Sequence, residues 1–276
     1  MTIVLRFISS RIIKIFANSI KVLCYAFHFF FPKKRFILPK RSSPIYFRKN
    51  HSIIPNILWQ TNYTNRVTLP VYINYLFNRL LSLSYEYRFM ITEDRAAFVK
   101  SNYSQEIFSN YSKLQIGAAQ ADLWRLLILQ KYGGVYMDID AHLVWPLNMI
   151  VKREYTELYL LRKRGGVSNY FIASKKNNVH LEKMIKVIIK HIKENSLKSV
   201  YSMTGPAVLN HVLDNIEVNA VSYRYTCNQG NFTNEYFQYI DKSQGKWNQA
   251  QKTIDIVNNK LRASPIKTND RDKSTG

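Results

Sequence analysis

Asp138 and Asp140 stand two residues apart at the end of an apolar run, Gly133-Gly134-Val135-Tyr136-Met137-Asp138-Ile139-Asp140. Read as a strand, this spacing sends both carboxylates to one side and buries Met137 and Ile139 on the other. Two carboxylates so placed repel each other unless a cation lies between them. Oxygen-only ligation selects Mg²⁺ or Mn²⁺, ions that can hold a diphosphate at the same time. One helix upstream, Asp122 and Arg125 are three residues apart on an otherwise apolar face. A surface ion pair is the plainest reading of that spacing. The Gly-Gly turn instead folds the face back toward the metal edge, where Asp122 can accept hydrogen bonds from sugar hydroxyls and Arg125 can brace it or contact phosphate.

These residues need a scaffold, and the hydrophobic periodicity supplies one. Gly117–Tyr132 predicts a strong helix stopped by Gly133-Gly134, with a strand over Val135–Asp140 directly after it. Upstream, Ile53–Gln60 reads as a short buried strand, Val71–Leu83 as a helix, Tyr85–Thr92 as an alternating strand and Glu93–Lys100 as a helix capped by Thr92. Downstream, Leu158–Leu161 and Tyr170–Ala173 read as strands, His180–Ile192 as an amphipathic basic helix, and Thr204–Leu213 as a helix with Pro206 in its first turn. Strands alternating with helices give an open α/β sheet.

The run from Ala121 to Asp140 resembles the sugar-binding segment of glycosyltransferase family 32, relatives of yeast initiating mannosyltransferases, of bacterial capsule and lipooligosaccharide transferases and, more distantly, of large clostridial glucosylating toxins. The match lies at Asp122, Arg125, Tyr132, Gly133, Gly134, Tyr136, Asp138 and Asp140, with Ala121 where a Ser is usual. Ile54–Thr61 resembles the family's opening strand, with Trp59 in place of a His; Asn169, Ala173-Ser174 and Thr204-Gly205-Pro206 resemble later blocks. The stretch Asp241–Trp247 resembles its C-terminal turn, without the His.

This resemblance implies a GT-A-type fold, a single Rossmann-like mixed sheet flanked by helices. It implies a UDP-sugar or GDP-sugar donor, Mn²⁺ or Mg²⁺, and transfer with retention to a glycan or lipid-linked acceptor. It places Trp59, Gln60, Asp122, Arg125, Tyr136 and Trp247 around the donor, with Asp122 and Arg125 as catalytic residues and Asp138, Asp140 and Asp241 as metal ligands. A carboxylate nucleophile is not evident, which favours same-face attack by the acceptor within a tight ion pair, the leaving phosphate taking the acceptor proton.

The chain of 276 residues carries 40 Lys+Arg against 18 Asp+Glu, a net charge of +22, and is 46% hydrophobic. That composition supports a buried core and excludes a disordered chain. Cys24 and Cys227 stand alone, which argues against a disulfide framework or a structural zinc site. From Ile3 to Phe31 a wide apolar face is interrupted by Arg6, Ser10, Lys14, Asn18 and Lys21, the pattern of a helix lying in a membrane interface. The cluster Lys33, Lys34, Arg35, Lys40, Arg41, Arg48, Lys49 follows, each cation worth about 1 kcal/mol beside an anionic leaflet. Packing of this helix on the catalytic core is the alternative. The expected organisation is a membrane-associating helix and basic linker over 1–50, a catalytic domain over 51–263 and a disordered tail over 264–276. The expected location is peripheral, on the cytoplasmic face of the membrane, and the Lys, Asn, Ile and Tyr content suggests bacterial surface-glycan synthesis.

Two rival readings are a basic nucleic-acid-binding module and a two-metal phosphoryl-transfer enzyme. No nucleic-acid motif accompanies the cations, so no nucleic-acid partner is expected, and the second rival requires a further acidic residue.

Overall fold

A computed structural model describes residues 2–47, 52–242 and 245–258; the expected tail from 264 onward, together with Arg48 and Lys49, lies outside the described residues. Helix α1 (Thr2–Phe30) leads into two short strands, β1 (Phe36–Ile37) and β2 (Arg41–Ser42). Next come β3 (Ile57–Thr61), β4 (Arg66–Val67), α2 (Leu69–Leu80), β5 (Glu86–Met90) and α3 (Thr92–Asn102). Helices α4 (Gln105–Lys113) and α5 (Gly117–Tyr132) precede β6 (Gly134–Met137) and β7 (Ala141–Leu143). After α6 (Leu147–Ile150) the chain forms β8 (Glu157–Leu161), β9 (Val167–Ser174), α7 (Val179–Glu194), α8 (Val200–Met203) and α9 (Pro206–Val212). It closes with β10 (Ala220–Ser222), β11 (Cys227–Gln229), α10 (Glu235–Tyr239) and α11 (Trp247–Thr253).

Seven strands form the central sheet in the order β10-β8-β9-β6-β3-β5-β2. Strand β3 runs parallel to both neighbours, β5 and β6, whereas β9 is antiparallel to β6 and to β8, so the sheet is mixed, as the family resemblance implied. Strand alternation sorts its side chains onto two faces. Trp59, Tyr136, Tyr159 and Ile172 pack with α5 and α7 on one side. Leu58, Tyr87, Val135, Met137 and Phe171 pack with Val71 and Tyr75 of α2 on the other.

Helix α5 is buried continuously from Asp122 to Leu129, which fits its apolar circumference and explains why Asp122 and Arg125 cannot be surface residues. Gly133 ends the helix at φ +66° and Gly134 follows at φ +108°. A side chain on Gly134 would meet the Ile57 carbonyl oxygen at 2.7 Å, so glycine here lets β6 come alongside β3.

Residues 2–47 pack into the domain, whereas the expected boundary set residues 1–50 apart. Strand β2 is an edge of the central sheet, with Arg41 opposite Arg88 and Ser42 opposite Tyr87, and β1 pairs with β4. Helix α1 buries Ala17, Cys24 and His28 against the domain. Pro32, Pro39 and Pro44 suggest a linker, yet proline is equally at home beside edge strands, where a missing N–H costs no ladder bond.

Candidate active site

Strand β6 stops at Met137, and the Asp-x-Asp residues form the turn beyond it, closed by a hydrogen bond from Ala141 N to Asp138 O of 3.0 Å. The expected strand through Asp140 is therefore shorter, because the chain reverses here to pair β7 with β11. Three buried side-chain amides fix the turn. Gln60 Nε2 donates to Asp138 O (3.1 Å), Asn74 Nδ2 to the carbonyls of Ile139 (2.8 Å) and Ala141 (2.9 Å), and Asn78 Nδ2 to Ala141 O (2.9 Å). The two carboxylates still converge: Gln229 Nε2 lies 3.3 Å from Asp138 Oδ2 and 2.9 Å from Asp140 Oδ1.

Behind Asp138 stands a buried charged network. Tyr136 donates its hydroxyl hydrogen to Asp138 Oδ1 at 2.5 Å, and Arg125 Nη1 is 3.2 Å from the same oxygen. Arg125 Nη2 pairs with Asp122 Oδ1 at 2.8 Å, and Nη1 also donates to Asn169 O at 2.6 Å. The guanidinium lies over the Tyr136 ring, 4.4 Å from its centre. Asp122 in turn accepts from Asn169 Nδ2 (2.9 Å) on one oxygen and from Thr204 Oγ1 (3.0 Å) on the other. A sugar hydroxyl could reach Asp122 only by replacing one of these partners.

Burial, with repulsion from Asp138, pushes the Asp140 carboxyl up to about 7. Burial likewise raises Asp122 to about 7 against the opposing pull of Arg125. Both are protonated more readily in the folded than in the unfolded chain. Their stabilising contribution is complete below pH 4 and is lost as pH rises through about 7. Asp140→Asn removes one of these penalties. In the presence of EDTA its melting temperature is expected to gain on the native chain steadily from pH 4 to 8, by several degrees, in thermal denaturation; saturating Mn²⁺ should reverse the order.

The site suits a hard divalent cation. Two carboxylates share one amide donor, and among the described residues Asp140 has no cation of its own as close as Arg125 is to Asp138. No third Asp, Glu, His or Cys joins them among the described residues. Two protein oxygens leave most positions to water and diphosphate, which is how Mg²⁺ is commonly held.

Other expected site residues fall elsewhere. Trp59 is completely buried, and its indole N–H donates to Gly133 O at 2.9 Å while its ring stacks on Tyr132, so it fastens β3 to the Gly-Gly turn and does not face a donor. Gln60 is equally enclosed between the Asp138 carbonyl and the Tyr87 hydroxyl. Tyr136 braces Asp138 from within the core. Trp247 begins α11 and packs half-buried on the core. Asp241 does not join Asp138 and Asp140. Arg35 holds it through two hydrogen bonds of 2.5 and 2.6 Å, which keep its carboxyl below the usual range. The reason is the return of the segment after α1, which brings a cation that sequence distance concealed.

Gln229, Asn169 and Thr204 are the functional positions that the motif reading left unassigned. A signal existed for Asn74 and Asn78, two amides four residues apart on the apolar side of a helix. Gln229, in a three-residue strand, gave none. Gln229→Ala is expected to lower turnover about tenfold through loss of one charge-assisted hydrogen-bond donor, with the circular dichroism spectrum unchanged.

Residues 70–157, which hold the whole turn and its helix, match the family model described as "Glycosyltransferase sugar-binding region containing DXD motif". The chain is 29% identical over 109 residues to the initiation-specific alpha-1,6-mannosyltransferase of Schizosaccharomyces pombe, 38% of this chain and 27% of that protein. It is 26% identical over 181 residues to the mannosyl phosphorylinositol ceramide synthase CSH1 of Saccharomyces cerevisiae, 63% of this chain and 46% of that one. An uncharacterized glycosyltransferase of Acanthamoeba polyphaga mimivirus, L373, is 30% identical over 90 residues, 32% of this chain and 36% of its own length. The chain thus spans less than half the length of each of these relatives. Among solved structures it is similar to the PaToxG glycosyltransferase, at 17% identity and a TM-score of 0.49 over 76% of this chain and 79% of that one. It is also similar to the UDP-bound glycosyltransferase domain of the YGT toxin, at 14% identity and a TM-score of 0.38 over 54% of each chain.

Proposed function

We propose, from the premise that this chain carries the DXD-containing sugar-binding region of a family 32-type glycosyltransferase, that it transfers a hexose from a nucleotide-sugar donor to a glycan or glycolipid acceptor. The observation that carries this reading is the convergence of Asp138 and Asp140 on one point, backed by Arg125. Mn²⁺ or Mg²⁺ would be held by those two carboxylates and would neutralise the diphosphate as it departs.

The chain's own residues prepare that place. Gln60, Asn74 and Asn78 grip the turn through its backbone carbonyls, which preorganises the carboxylates for a cation. Arg125 orients Asp138 through one carboxylate oxygen, and Tyr136 fixes the same oxygen. Asp122, with both oxygens engaged, is badly placed to act as a nucleophile. Retention then follows from same-face attack: the bond between the anomeric carbon and the diphosphate breaks, the acceptor oxygen bonds to that carbon, and the acceptor proton passes to the leaving diphosphate. Composition favours a bacterial surface polysaccharide or lipooligosaccharide as the acceptor class, and no nucleic-acid partner enters this reading.

The test is release of nucleoside diphosphate from a panel of GDP- and UDP-hexoses, with Mn²⁺ or with EDTA. Mn²⁺-dependent release from at least one donor is expected. Cleavage of DNA or RNA, with every nucleotide sugar left intact, would overturn the assignment in favour of phosphoryl transfer.

A further inference from the structure

Helix α1 is mounted with its polar stripe turned inward. Arg6 Nη2 donates to Met149 O (2.9 Å), Ser9 Oγ to Val144 O (3.1 Å) and Lys21 Nζ to Gly230 O (3.0 Å). Ser10 Oγ accepts from Asn228 (3.0 Å), and His28 Nε2 accepts from Leu69 N (3.1 Å). An amphipathic helix on a protein in water puts its polar side outward. Here the outward side is apolar: Ile12 is 61% exposed, Ile15 70%, Val22 66%, Leu23 68% and Phe29 79%. Contiguous apolar surface of this extent marks an interaction site.

We propose that the outer face of α1 is a membrane-docking surface, by which the catalytic domain lies against an anionic lipid bilayer with the helix in the plane of the interface. Charge complementarity selects the partner. Arg11 and Lys14 line one shallow depression together with Ile15, Asn18, Ser19 and Val22, so cations border the apolar face at the depth of lipid headgroups. Lys33 and Lys34, both exposed, follow the helix at once, and the chain's net charge of +22 draws the whole domain to such a surface. A second copy of the chain would set these same cations against each other across a two-fold axis.

By length and composition the helix is long and apolar enough to cross a bilayer. Crossing would tear it from the domain along its whole length, since its contacts run from Arg6 to His28, and would leave Arg6, Arg11, Lys14 and Lys21 in hydrocarbon. In-plane docking keeps every one of those bonds.

The full-length chain is tested by flotation with phosphatidylcholine vesicles, with and without phosphatidylglycerol. It should float with the anionic vesicles. Ile15→Asp combined with Leu23→Asp, at sites too exposed to disturb the fold, should lower the bound fraction at least about tenfold at every salt concentration. Lys33→Gln with Lys34→Gln should weaken binding and flatten its salt dependence. A folded native chain that ignores anionic vesicles, or an Ile15/Leu23 variant that floats like the native chain, would overturn the proposal. So would sedimentation as a dimer that the Asp substitutions dissociate, with vesicle binding absent, because the face would then be a subunit interface. Since no donor is present, these outcomes are independent of the proposed transferase activity.

Discussion

Asp138→Asn and Asp140→Asn are each expected to lower sugar transfer at least about a hundredfold, the scale of losing one strong electrostatic stabiliser, while the protein remains folded. The side chains are isosteric, and the turn that carries them is held through backbone carbonyls by Gln60, Asn74 and Asn78, none of which the substitutions touch. The two variants should differ in one respect. Asp138 is the partner of both Tyr136 and Arg125, so its amide variant unsettles the buried network, whereas Asp140 has Gln229 as its one side-chain hydrogen-bond partner among the described residues. Asp140→Asn is therefore expected to be the more stable of the two. Steady-state turnover at saturating Mn²⁺ checks the first point and urea denaturation the second; native-like turnover in either variant would remove the metal assignment.

Arg125→Ala is expected to destabilise the chain by about 3–5 kcal/mol, the cost of leaving a buried charge without its partner. The guanidinium is 5% exposed and serves two carboxylates, a carbonyl and an aromatic face at once. Its loss strands Asp122 and Asp138 in a low-dielectric setting. A domain of ordinary stability has about 5–15 kcal/mol in total, so much of the margin goes. Read as an exposed i, i+3 ion pair, Asp122 and Arg125 would make the loss of the guanidinium cost well under about 1 kcal/mol. Full burial of α5 reverses that expectation. Urea unfolding decides: a loss below about 1 kcal/mol would mean that the pair is not structural.

Helix α5 illustrates what the sequence makes legible. Its bounds, Gly117 to Tyr132, follow from an apolar stretch closed by two glycines, and they hold to the residue. The central strands were readable in place but not in bounds, because alternation over β5 and apolarity over β3 are local properties: β5 lies within the expected Tyr85–Thr92, whereas β3 starts at Ile57, not Ile53. Asp122, Arg125, Asp138 and Asp140 also came together as their motif implied. At the site, the errors concern position in space. Trp59 and Gln60 carry side chains able to bind a donor, yet the pleat turns one onto the Gly-Gly turn and the other under Asp138. Asp241 lost its metal role to Arg35, 206 positions away. Nothing within a few residues of either side chain announces such a contact, which is why Gln229 also escaped notice.

The grip of α1 on β11 has a consequence for how the protein comes to exist. Asn228 and Gly230, the neighbours of Gln229 on either side, are tied to Ser10 and Lys21 over separations of 218 and 209 residues. During synthesis the helix leaves the ribosome long before the strand that will hold its polar side. At roughly 5–20 residues per second, that interval is on the order of 10–40 s. Throughout it Ser10 and Lys21 lack their partners at β11, although Leu69, Val144 and Met149, which hold other points of the helix, are made sooner. Helix α1 therefore waits on β11 for its Ser10 and Lys21 bonds, just as the carboxylate turn waits on the same strand for its contact with Gln229.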